Sequence, residues 1–236
     1  MSSNNDFLKI IHHKVFENGV WKETRLECNP NSKVVSQPKA VVVAKEPTPE
    51  ENTKVISRYK NGNIETKKFY NPNDRRKYLI QNYTEDGKIR YAEYFCVDKL
   101  HNENGPAMIG WYEDGQKKYE FYYSNGIRYK GIFYNSSGSK SSEVYYDKDG
   151  NHHREDGPAL IYWDYYDKVW KESFYKHGKY HRKDGPALIS YENGKKEYEK
   201  YFKDGNEHRE DGPAIIIYNP DNGKVIDKQY YINGES

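Results

Sequence analysis

The stretch that decides the fold runs from residue 181 to residue 205 and reads His-Arg-Lys-Asp-Gly-Pro-Ala-Leu-Ile-Ser-Tyr-Glu-Asn-Gly-Lys-Lys-Glu-Tyr-Glu-Lys-Tyr-Phe-Lys-Asp-Gly. Its first seven residues recur, with small changes, at three other places in the 236-residue chain. The four heptapeptides begin at His101, His153, His181 and His208. A degenerate copy fills residues 131–150, between the first two. Internal periodicity of this length is typical of repeat proteins.

Each repeat contains two arms with the pattern of β-strands. In the first arm, small, aliphatic and aromatic residues alternate, as at Ala187, Ile189 and Tyr191, which is typical of a half-buried strand. The turn Asn193-Gly194 follows, and Asn-Gly favours a tight hairpin because both positions tolerate positive φ. The second arm is more charged and ends in a pair of aromatic residues, Tyr201-Phe202. The pattern predicts an all-β protein, an antiparallel meander of β-hairpin repeats that forms an elongated single-layer sheet or solenoid.

The remainder of the chain differs in character. Residues 1–28 contain a hairpin-like pattern and are predicted to form an N-terminal cap. Residues 29–54 read as a proline-containing linker with one short strand at Ala40–Ala44, and residues 55–236 as the repeats. The apolar segment at 41–43 could also pair with an exposed sheet edge.

The composition limits the kind of core and the kind of partner. Hydrophobic residues make up 35% of the chain and charged residues 31%, so one deep core is not expected. The 25 Tyr, 8 Phe and 4 Trp nevertheless supply large rings that disordered chains lack. With 38 basic and 36 acidic residues, the net charge of +2 gives no positive case for duplex DNA binding. The absence of a long apolar run, of a secretory signal and of any disulfide framework predicts a cytoplasmic protein.

The hairpin pattern resembles a known repeat family. Tyr-Tyr-x-Asn-Gly closes a repeat, as at residues 122–126 and 230–234, and this pattern resembles MORN repeats, most closely the MORN-variant kind of bacterial antitoxin proteins and of large DNA viruses. The heptapeptide resembles the viral and phage form, which implies that the protein could be virus-encoded. The resemblance covers about residues 51–236. The repeats here are longer than the common MORN unit and carry Gly-Pro-Ala instead of Gly-x-Gly, so lipid binding by some MORN proteins is not implied.

The heptapeptides place a histidine, and in three copies an aspartate three residues later, at equivalent positions. Equivalent residues of successive hairpins lie two strands apart, roughly 9–10 Å, whereas two imidazoles on one ion each need about 2.1 Å. The sequence therefore predicts structural turn residues that satisfy backbone groups, with no metal and no cofactor. These residues are His101, His153, His181, His208, Asp156, Asp184 and Asp211.

The glycines fit no phosphate-loop pattern, and no catalytic motif is present, so we do not expect an enzyme. The aromatic pairs are the better candidates for function. One ring of each pair is expected to stabilise the sheet through cross-strand contacts, and the other to line an extended surface. By their position along the arms, the candidate binding residues are Tyr123, Tyr175, Phe202 and Tyr231.

Two functional hypotheses follow. The leading one is a non-catalytic module for protein–protein interaction or scaffolding, because repeat sheets present extended surfaces and aromatic residues dominate interface energetics. The alternative is binding of single-stranded RNA or nucleotides by base stacking, which the rings favour and the balanced charge does not. Binding to a membrane surface ranks lower. Self-association through an edge strand is a further option.

Overall fold

The computed structural model describes residues 9–17, 20–28 and 52–235, and these contain strands and turns but no helix. The chain divides into two compact parts, residues 1–53 and 54–236. In the first part, β1 (Lys9–Glu17) and β2 (Val20–Cys28) form an antiparallel pair in which Lys9 lies opposite Cys28. The short strand predicted at 40–44, with the predicted linker up to residue 51, lies outside the described residues.

The other strands follow in chain order. They are β3 (Thr53–Arg58), β4 (Ile64–Asn71), β5 (Asp74–Tyr83), β6 (Ile89–Cys96), β7 (Lys99–Leu100), β8 (Met108–Trp111), β9 (Lys117–Ser124), β10 (Ile127–Tyr134), β11 (Lys140–Tyr145), β12 (Leu160–Trp163), β13 (Val169–Ser173), β14 (Tyr175–Lys176), β15 (Lys179–Tyr180), β16 (Leu188–Glu192), β17 (Lys195–Lys200), β18 (Phe202–Lys203), β19 (Asn206–Glu207), β20 (Ile215–Tyr218) and β21 (Val225–Gln229).

These strands confirm the predicted fold class. A 15-stranded antiparallel sheet runs as a meander from β3 to β21, with β7 paired to the side of β6. The sheet is open, with β3 and β21 at its two ends. Two short hairpins, β14–β15 and β18–β19, form small sheets of their own. Each short hairpin contains the second aromatic residue of its repeat. The repeats therefore form a main row of long arms, which is the large sheet, and a minor row of short hairpins beside it.

The buried side chains of the sheet are mainly those of small and aliphatic residues. The alanines of the four Gly-Pro-Ala segments are completely buried. Isoleucine and glutamate residues alternate across one face of the sheet, each opposite the next on the neighbouring strand. This row, the Ile–Glu row, consists of Ile109, Glu120, Ile132, Glu143, Ile161, Glu172, Ile189, Glu199 and Ile216.

On the opposite face, two aromatic rings lie flat over strand glycines. A Cβ atom added to Gly110 would lie 2.3 Å from Cζ of Tyr119, and one added to Gly131 would lie 3.1 Å from Cδ1 of Phe121. The Tyr119 and Phe121 rings are stacked, with centroids 4.7 Å apart. These glycines therefore leave space for rings that cover the backbone, which is one reason for a glycine within a strand.

Candidate interaction surfaces

The repeat histidines bind backbone groups of a turn that lies two strands away. In each case the imidazole Nδ1 accepts a hydrogen bond from the backbone N–H of the residue before the glycine of the closing turn, the turn that follows the second arm. The pairs are His101 with Asn125 (3.2 Å), His153 with His177 (3.2 Å), His181 with Asp204 (3.3 Å) and His208 with Asn233 (3.1 Å). All four donors have positive φ, between 48° and 55°. The histidines thus hold neighbouring hairpins together.

The second imidazole nitrogen of three of these histidines faces a carboxylate. His153 Nε2 lies 3.2 Å from Glu155, His208 Nε2 lies 3.3 Å from Glu210, and His101 Nε2 lies 3.8 Å from Glu103. A proton on Nε2 can be donated to the carboxylate while Nδ1 stays an acceptor, so the glutamate favours the tautomer that the backbone contact needs. Lysine replaces this glutamate at position 183, after His181.

Two aspartates of the heptapeptides bind the arginine of their own loop. Asp156 and Asp211 accept hydrogen bonds from Nε of Arg154 (2.7 Å) and Arg209 (2.8 Å). Asp184 is exposed. Arginines at these positions also lie over the aromatic ring that precedes the heptapeptide and reach the proline carbonyl of their own loop, so the guanidinium group closes the loop against the preceding repeat.

The glutamates of the Ile–Glu row are bound within the sheet. Glu143 lies 2.9 Å from both Lys130 and Lys140 and accepts a hydrogen bond from the Tyr145 hydroxyl. Burial alone would raise the pKa of Glu143, but the hydrogen bonds from Tyr145, Lys130 and Lys140 outweigh it and lower the pKa to about 2. The Glu143 carboxylate is therefore held as a charged structural group, and an isoleucine separates it from the glutamate on either side in the row.

Further tyrosine hydroxyls complete this network. Tyr134 donates to Glu120 (2.8 Å), Tyr191 to Glu172 (3.0 Å) and Tyr218 to Glu199 (2.7 Å). Within the described residues, no group of three or more His, Cys, Asp or Glu side chains is arranged to hold a metal ion.

The four predicted binding rings are all half-buried. Two of them belong to a column of rings along the minor row of hairpins, in which each ring contacts the next at centroid distances between 4.3 and 5.6 Å. The column consists of Tyr146, His152, Tyr175, Tyr180 and Phe202. Tyr175 and Phe202 thus offer part of their faces to neighbouring rings. Tyr123 and Tyr231 lie at corresponding ends of arms outside this column.

Among residues 52–235, the most exposed aromatic side chains lie at a place that the sequence patterns did not single out. Tyr165 and Tyr166, in the turn between β12 and β13, are 76% and 83% exposed. Asp164 Oδ1 accepts hydrogen bonds from the backbone N–H groups of Tyr166 (2.8 Å) and Lys168 (2.9 Å), so the turn is held by its own contacts. The available signal was the composition of the turn, because the equivalent turns carry Glu113-Asp114 and Ser136-Ser137 at these two positions.

Comparison with known proteins assigns no relative: no family model matches this chain, and no curated protein matches it significantly. No helix long and apolar enough to cross a lipid bilayer occurs in the part of the chain that the structure describes.

Proposed function

We propose that this protein is a non-catalytic, MORN-like repeat module that binds a protein partner through exposed aromatic side chains. The observation that carries the proposal is the exposure of Tyr165 and Tyr166 on a turn held by its own hydrogen bonds. An intracellular location belongs to the proposal, since the sequence has only two cysteines.

A small polar residue at either position would serve the fold about as well as tyrosine does. In the turns that follow β8 and β10, the same two positions carry Glu113-Asp114 and Ser136-Ser137, and the glycine with positive φ that comes next is replaced here by Asp167. Exposing two large rings to water gains nothing for folding, whereas tyrosine is enriched among the residues that dominate binding energy at interfaces. A turn with a defined backbone also loses little conformational entropy when it binds.

The rest of the sheet supports a scaffolding role. The carboxylates, histidines and arginines with the most regular spacing are occupied by hydrogen bonds within the fold. The formal charge of +2 over 236 residues favours a protein partner over a nucleic acid, whose binding normally requires a concentrated basic surface.

The test is an affinity capture from native-host lysate with the wild-type protein and the double variant Tyr165→Ser, Tyr166→Ser, each with and without nuclease. We expect a stoichiometric protein that survives nuclease treatment and is lost with the double variant. Tyr129→Ser, which changes a 43% exposed tyrosine on β10, is the matched control and should retain the partner. With the partner purified, loss of two anchor rings should weaken binding at least tenfold.

Two results would contradict the proposal. Capture of the same protein by wild type and double variant would exclude this turn as the binding site. Loss of every captured component on nuclease treatment would instead favour single-stranded nucleic acid, for which exposed rings serve as stacking platforms.

A further inference from the structure

The first aromatic residue of each pair is held by the heptapeptide that follows it. At four positions its backbone N–H donates to the alanine carbonyl of the next Gly-Pro-Ala, over 2.7–2.8 Å, and its carbonyl accepts from the N–H of the next repeat histidine, over 3.0–3.1 Å. The four positions are Tyr94 (with Ala107 and His101), Tyr145 (with Ala159 and His153), Phe174 (with Ala187 and His181) and Tyr201 (with Ala214 and His208).

The ring of this first aromatic residue is covered by the arginine of the same heptapeptide. The guanidinium carbon lies 4.1 Å from the ring centroid for Arg154 over Tyr145, and 4.0 Å for Arg209 over Tyr201. After the heptapeptide, the first arm of the next repeat pairs with the second arm that precedes the aromatic residue. In this way β16 pairs with β13, and β20 pairs with β17. One interface, made of a strand and the heptapeptide loop ahead of it, therefore recurs along the sheet.

Tyr230 occupies the same position after β21, and there the interface is incomplete. Within residues 52–235, neither the N–H nor the carbonyl of Tyr230 has a hydrogen-bond partner. Its ring is 61% exposed, whereas the rings of Tyr145, Phe174 and Tyr201 are half-buried. The adjacent edge strand also exposes Ile226, at 63%.

The surface beside Tyr230 has chemistry suited to an arginine. A shallow depression of about 350 Å³ is lined by the rings of Tyr230 and Tyr231, by Ile232, and by the carboxylate residues Glu210 and Glu235, with Arg209 at its side. Elsewhere in this sheet, the aromatic ring at this position is covered by the arginine of the following heptapeptide, and that arginine donates to the aspartate of its own heptapeptide.

We propose that the β21 edge, with Tyr230, binds one further repeat of the same kind: an extended strand preceded by His-Arg-x-Asp-Gly-Pro-Ala. The partner strand continues the antiparallel sheet, and its loop supplies the alanine carbonyl, the histidine N–H and the guanidinium group that Tyr230 lacks. A second copy of this chain does not offer that combination at its first strand, because β3 is preceded by Glu-Pro-Thr-Pro-Glu-Glu at 46–51. This surface is separate from the Tyr165–Tyr166 turn.

The test is a fluorescence anisotropy titration of the full chain into a labelled peptide with the sequence of residues 181–191, His-Arg-Lys-Asp-Gly-Pro-Ala-Leu-Ile-Ser-Tyr. We expect saturable binding that weakens at least tenfold with the protein variants Tyr230→Ser and Ile226→Asp, and with a peptide in which alanine replaces the arginine. Both protein positions are exposed, so the variants should keep the wild-type far-UV circular dichroism spectrum. The double variant Tyr165→Ser, Tyr166→Ser should bind the peptide as wild type does, which separates this proposal from the proposed function.

The proposal is overturned if the peptide does not bind at protein concentrations up to about 1 mM, or if a scrambled peptide binds equally well. Self-association of the protein that Tyr230→Ser abolishes, measured by sedimentation velocity, would also overturn it, because a second copy would then be the occupant of the edge.

Discussion

The imidazole Nδ1 of His208 lies 3.1 Å from the backbone nitrogen of Asn233, across two arms of the sheet. Asn233 has a φ of 55°, and its N–H points out of a tight turn towards the preceding hairpin. An acceptor at this point secures the turn, and the same contact recurs at His101, His153 and His181. The recurrence of histidine is therefore explained by a recurring backbone donor.

Replacing His208 by alanine should selectively weaken this turn. The Asn233 N–H loses its acceptor, at a cost of roughly 1 kcal/mol, and its hydrogen exchange should become faster. His208→Asn is the matched control, because the amide oxygen can take the place of Nδ1 and should restore part of the protection. Exchange followed by NMR at the Asn233 amide measures the effect. Equal acceleration in both variants would show that ring packing, rather than the hydrogen bond, protects the turn.

Gly110→Ala should destabilise the sheet by about 1–3 kcal/mol, because the added methyl group would overlap the Tyr119 ring. Gly105→Ala is the control, since its Cβ would meet only Asn102 Nδ2 at 3.6 Å. Urea unfolding of both variants gives the comparison. If the overlap is the cause, the additional change Tyr119→Leu should recover part of the stability lost in Gly110→Ala. A loss in Gly110→Ala no larger than in Gly105→Ala would contradict this account.

Glu143 should make the stability depend on pH in the acid range. Its pKa in the folded protein is about 2, below the ordinary 4.5, so the carboxylate stabilises the fold above pH 4.5 and this contribution is lost as the pH falls towards 2. Glu143→Gln should therefore be less stable than wild type at pH 7, with a difference that shrinks between pH 4.5 and 2. Unfolding by urea across this range measures it, with the exposed Glu113→Gln as control. A difference that stays constant with pH would contradict the assignment.

Tyr191 should contribute to alkaline unfolding. Burial, followed by the hydrogen bond to Glu172, raises its pKa to about 12 from the ordinary 10. The unfolded chain then loses this proton at a lower pH than the folded protein, so the stabilising contribution is lost as the pH rises from 10 to 12. The difference in unfolding free energy between wild type and Tyr191→Phe should shrink over this interval. Tyr166→Phe, at an 83% exposed position, should leave the profile of wild type unchanged.

Much of the fold could be predicted because its signals are local. The alternation at Ala187, Ile189 and Tyr191 has the period of a strand, and Asn193-Gly194 has the positive φ values of 52° and 78° that its residue types favour. Because short turns connect the arms, each arm pairs with its neighbours in the chain. The repetition of these signals therefore predicts an antiparallel meander.

The roles of individual side chains depended on the register and twist of the sheet. The register places Glu143 between Ile132 and Ile161, and only that placement brings Lys130 and Lys140 to its carboxylate. Likewise, the short hairpins stack Tyr175 and Phe202 on Tyr180, a contact that the sequence pattern does not indicate. Sequence patterns specify which face of a strand a residue occupies, whereas contacts between rings, and the exposure of Tyr165 and Tyr230, depend on how neighbouring hairpins pack in three dimensions.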